Sequence, residues 1–86
     1  MKLLIIDKEL YVTQKGVTTS LRVFLREKRL EKKMTVAAVE TTSGLQHPSY
    51  LLYERGKNRS ILTGLMALEG LGYDLYVWGG QELRGE

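Results

Sequence analysis

The 86-residue chain has no cysteine and only one histidine, one proline, one tryptophan and one phenylalanine. Without thiols there is neither a disulfide framework nor a thiolate zinc site, and one histidine cannot build an all-histidine centre, so no metal is expected. A reducing compartment follows. Long hydrophobic runs are missing too: near the start the longest is Leu3-Leu4-Ile5-Ile6, against the ~20 residues a membrane helix needs, and it is shorter than a signal-peptide core. The expected location is cytoplasmic, with no membrane partner. Also absent are a glycine-rich phosphate loop and a paired histidine and nucleophile, so neither an enzyme nor a cofactor is expected. A chain this short buries only about 60–68% of its unfolded surface, which leaves a thin core in a single domain and favours support from a second subunit.

What is present is an uneven distribution of charge. The net value is only +3, but residues 21–33 hold Arg22, Arg26, Lys28, Arg29, Lys32 and Lys33 against Glu27 and Glu31. Arg55, Lys57 and Arg59 follow beside Glu54, while the end, with Glu69, Asp74, Glu82 and Glu86 against Arg84, is acidic. A basic middle is the electrostatic footprint of a polyanion binder, and a solvated helix face is its plainer explanation.

The pattern of elements divides residues 1–86 into an N-terminal strand or hairpin with linker (1–20), a helical core (21–72), a strand (73–78) and a flexible tail (79–86). Met1–Val12 is rich in Leu, Ile, Tyr and Val and broken by Asp7-Lys8-Glu9, which fits one strand or a hairpin turning at those charges. Thr13–Ser20 reads as a polar linker. A first helix runs from about Leu21 to Lys33 with two apolar stripes, Leu21, Phe24 and Leu25 on one side and Val23, Leu30 and Met34 on the other; the second stripe needs a cover. Thr35 caps a helix over Val36–Thr42 that stops at Ser43-Gly44, and a third helix spans about His47–Arg55 and ends at Gly56. Ser60 caps a fourth, closed by Gly72 and weakened by Gly64 and Gly70. Tyr73–Trp78 is rich in aromatic and branched residues, alternates in its first half and reads as a strand.

Thr35, Gly44 nine residues later, and Glu54-Arg55-Gly56 fall in one register, with Val39, Leu45, Tyr50 and Tyr53 at apolar positions between them. In this register the segment resembles the helix-turn-helix of the Cro/C1 repressor family, also called the XRE family, over about residues 21–73. The resemblance implies a mainly α, lambda-repressor-like four-helix domain with short terminal β-strands. It implies that Gln46, His47, Ser49, Leu51 and Leu52, beside Pro48, read base edges or thymine methyls, and that Thr35, Arg55, Lys57, Asn58 and Arg59 bind phosphates. It also implies an Arg29–Glu54 ion pair that ties the first helix to the end of the third.

Three positions depart from the family pattern. Val36 replaces a glutamine that contacts DNA, Leu51 and Leu52 replace polar residues, and Glu40 stands where a small alanine lets the two helices approach. An unpaired buried carboxylate is costly, so either the helices pack more loosely there or Glu40 reaches water or a basic partner. The terminal strand is similar to that of antitoxins of some type II toxin–antitoxin modules. Tyr73, Leu75, Tyr76, Val77 and Trp78 are accordingly expected at a homodimer interface, pairing with the N-terminal strand or with a second copy. The expected function is a dimeric transcriptional repressor on an inverted-repeat operator of double-stranded DNA, with an antitoxin that binds a toxin protein as the alternative.

Overall fold

A computed structural model describes residues 1–73, 75–77 and 82–85. The chain runs β1 (Lys2–Ile6), β2 (Glu9–Gln14), β3 (Val17–Ser20), α1 (Leu21–Glu31), α2 (Val36–Ser43), α3 (Ser49–Glu54), α4 (Ile61–Gly70), β4 (Leu75–Val77) and β5 (Glu82–Gly85). All five strands join one antiparallel sheet in the order β3-β2-β1-β5-β4. The mainly α expectation is therefore corrected: a five-stranded sheet stands beside four helices. The cause lies in two tight turns. Asp7 and Lys8 both take positive φ (51° and 65°), as do Lys15 and Gly16 (49° and 80°), and two such residues in succession match the twist of paired strands. The supposed linker Thr13–Ser20 thus supplies the end of β2 and all of β3. The tail expected to be loose contains β5, which lies between β1 and β4, with Leu3 opposite Leu83 and Val77 opposite Leu83 on its other side. β4 does not pair with the N-terminal strand directly.

Period-2 alternation puts Leu3, Leu10 and Val12 on the helix-facing side of the sheet. There they join Leu21, Phe24 and Leu25 of α1, Val39 of α2, Tyr50 and Tyr53 of α3, and Ala67, Leu68 and Leu71 in one buried cluster. Met34 packs partly against it, while Val23 and Leu30 remain exposed, so two of the three residues of the second α1 stripe have no cover among the described residues. Ser20, Thr35 and Ser60 cap α1, α2 and α4 by accepting from the backbone N–H of Val23, Ala38 and Thr63. Gly70 is a close-approach residue: a Cβ there would run into Ser43 of α2, including its Cα at 3.0 Å. The glycine that weakens α4 locally is what lets it touch α2.

Candidate nucleic-acid interface

α2 ends at Gly44 in the left-handed region (φ 72°, ψ 24°), and the Leu45 N–H returns to the Glu40 carbonyl at 2.8 Å. This closure satisfies a terminal carbonyl of α2 and turns the chain towards α3. The third helix begins at Ser49 rather than near His47, with Pro48 as its N-cap, and Pro48 offers no side-chain acceptor. Glu40 supplies one from α2. Its Oε2 accepts the Tyr50 N–H at 3.2 Å, while Oε1 lies 3.0 Å from His47 Nδ1. Of the outcomes open to this buried acid, a basic partner is the one realised, and a helix cap comes with it.

The end of α3 is held as firmly. Arg29 donates from Nε to Glu54 Oε2 at 2.7 Å, from Nη2 to Oε1 at 3.1 Å, and from Nη1 to the Met34 carbonyl. Burial raises the Glu54 carboxyl pKa, but the hydrogen bonds and charge of Arg29 outweigh it and hold the group below its ordinary value, helped by the nearby Tyr50. The Tyr50 hydroxyl itself is buried without a hydrogen bond of good geometry, and burial is the largest reason that its own pKa rises. Arg22, which the sequence did not mark as a site residue, donates to the carbonyls of Tyr53 and Asn58, pairs with Glu9 Oε2 at 2.7 Å, and lies 4.6 Å over the Tyr53 ring. Burial pushes the Tyr53 phenol up to about 12. The Arg22 signal was there to read, a cation one turn before Arg26 on the α3-facing side of α1, but its target is backbone and leaves no trace in the sequence.

The residues expected at phosphates divide. Arg55 and Lys57 are exposed and form no ion pair among the described residues. Arg59 is exposed too, with Nε on Glu9 Oε1 at 2.9 Å. Burial raises the Glu9 pKa, and the hydrogen bonds and charges of Arg22 and Arg59 more than reverse this. Asn58 is used internally: its Nδ2 donates to the Ser49 carbonyl and to Thr63 Oγ1, and its Oδ1 accepts from Ser60 N–H. With both amide hydrogens committed, it pins the α3–α4 junction instead of facing a phosphate. Thr35 is exposed while it caps α2.

Among the expected base readers, Gln46 and His47, with Pro48 beside them, are exposed; Ser49, Leu51 and Leu52 are half-buried. The turn that leads into α3, more than the helix itself, is the open part. Tyr73 packs on Phe24 within the subunit, ring centroids 5.7 Å apart. Leu75, Tyr76 and Val77 form β4 at one edge of the sheet, and Trp78 lies outside the described residues. A shallow cleft between β2, β3 and α1 is lined by Val12, Gln14, Val17, Thr19, Phe24, Glu27 and Lys28. Among the described residues no three His, Cys, Asp or Glu side chains gather to hold a metal, and no helix is long and apolar enough to cross a membrane.

Comparisons with protein-family models, with curated proteins and with solved structures found no match.

Proposed function

We propose that the chain is a dimeric, sequence-specific binder of duplex DNA that represses transcription by occupying an inverted-repeat operator. One observation carries the reading: a left-handed glycine joins α2 to α3, and the exposed turn Gln46-His47-Pro48 opens α3 while exposed Arg55, Lys57 and Arg59 follow its end. A major groove about 12 Å wide admits a helix, and cations at the end of that helix meet the flanking phosphates. Since α3 has six residues, about 9 Å at 1.5 Å per residue, the turn before it supplies polar contacts and Leu51 and Leu52 supply at most apolar contact to thymine methyls. Phosphate binding falls to Arg55, Lys57 and Arg59, with the exposed Thr35 hydroxyl in support. For the dimer, the open edge of β4 is the natural seam, because unpaired strand N–H and C=O groups accept a second strand.

Selection from a pool of random duplexes, followed by sizing of the complex, tests the reading. The expected result is a palindromic consensus bound by two chains. No enrichment, or enrichment of single-stranded sequence only, overturns it.

A further inference from the structure

Glu40 is out of place for close helix packing, yet it is 3% exposed and has both oxygens engaged. Its Oε2 must accept, because the group facing it is the Tyr50 backbone N–H. An ionised carboxylate only accepts, so Oε1 requires the proton of the facing imidazole nitrogen. The His47 side chain is 71% exposed, and the ring nitrogen turned away from Glu40 is Nε2. Glu40 therefore determines which face of hydrogen-bond chemistry His47 shows to the outside.

We propose that Glu40 is a positioning residue that locks His47 in the Nδ1–H tautomer, so that a bare Nε2 acceptor reads a base carrying an amino donor in the major groove. The inference rests on the DNA-binding reading above and names its specificity. Donors in that groove are the cytosine N4 and adenine N6 amino groups; guanine and thymine present acceptors there. The mechanism makes a sharp prediction for Glu40→Gln, which keeps the size of the side chain. Tyr50 N–H still demands an acceptor, so the amide oxygen stays on Tyr50 and the NH₂ turns to His47. It then donates to Nδ1, the ring proton moves to Nε2, and the outer edge of His47 becomes a donor. Preference at one position of each half-site swings from cytosine to guanine or thymine, while adenine, which presents both kinds of group, is tolerated by either form.

The test combines two measurements at pH 8. His47 is the only histidine, so nitrogen-15 NMR of the free wild-type protein reports its tautomer without assignment work and without DNA. Nδ1–H is expected; Nε2–H overturns the proposal. Duplex selection then compares wild type, Glu40→Gln and His47→Ala. The expected outcome is a discrimination of roughly tenfold at one position in the wild type, reversed in Glu40→Gln and erased in His47→Ala, with affinity elsewhere in the site retained. The same consensus from all three proteins overturns the reading role. If no protein selects DNA, both the proposed function and the reading role fall, and an Nδ1–H signal in that case shows the Glu40–His47 contact intact, which separates the two failures. Should Glu40→Gln not fold, wild-type NMR and the His47→Ala selection decide the matter.

Discussion

Replacing Glu54 by alanine strands the Arg29 guanidinium, whose side chain is only 13% exposed, with one hydrogen bond to the Met34 carbonyl in place of three. Breaking a buried pair from one side typically costs 3–5 kcal/mol. The lower end applies, because the domain is thin and water is close, so the expected loss is about 3 kcal/mol. For a chain of this length total stability is roughly 4–13 kcal/mol, which makes this one of the most damaging single changes available. Removing both partners is different. Arg29→Met with Glu54→Leu leaves no orphaned charge and fills similar volume, so the double variant should recover at least half of the loss, with a coupling of about 1–3 kcal/mol. Urea unfolding of the wild type, Arg29→Met, Glu54→Leu and the double variant closes the cycle. If the two single losses simply add, the pair is a surface contact and the proposed anchoring of α3 on α1 is wrong.

Three other perturbations probe different parts of the structure. Glycine to alanine inside a helix normally gains up to about 1 kcal/mol, but at Gly70 the new methyl meets Ser43 including backbone, so a net loss of about 1–2 kcal/mol is expected; a raised thermal midpoint would show that α2 and α4 are not in contact. Asn58→Ala removes three hydrogen bonds at the α3–α4 junction and should cost about 1–3 kcal/mol, with faster proteolysis of the 55–60 loop, whereas a phosphate-only role predicts unchanged stability. Glu9 and Glu54 both have folded pKa values below the ordinary 4.5, so their contribution is complete above that value and is lost as pH falls through the lower folded values. Urea midpoints should therefore drop below about pH 4.5, and Glu54→Gln should flatten that drop; an equal drop in the variant counts against the assignment.

The helices were legible because their signals are local. Ser20, Thr35 and Ser60 each cap the helix they precede, and the buried positions Val39, Tyr50 and Tyr53 follow helical spacing. The sheet was legible only in part: a hairpin turning at Asp7-Lys8-Glu9 is one of two readings of the first strands and a strand reads over 73–78, but the rest of the sheet has no such local signal. Asp7-Lys8 and Lys15-Gly16 lack the Asn-Gly signature of a two-residue hairpin turn, and β3 is a polar strand at the sheet edge whose Thr18 and Thr19 face partners across it. β5, too, depends on β1 for its place, which no local pattern encodes. At the site, Glu40 was conspicuous as an acid in an apolar register, but nothing local named His47 as its partner, because the contact depends on how the turn after Gly44 folds back on α2. Asn58 misled because a polar residue between two cations looks solvent-facing until its carbonyl and hydroxyl partners are known.

The most direct measurement of the central claim is the salt dependence of duplex binding, compared between the wild type and a variant with Arg55, Lys57 and Arg59 all changed to alanine. Three phosphates neutralised per subunit give a log–log slope of about −5 for a dimer, or about −4 if Arg59 stays on Glu9. The account predicts that slope for the wild type and one near zero, with binding reduced at every sequence, for the variant. Equal slopes in the two proteins would contradict it.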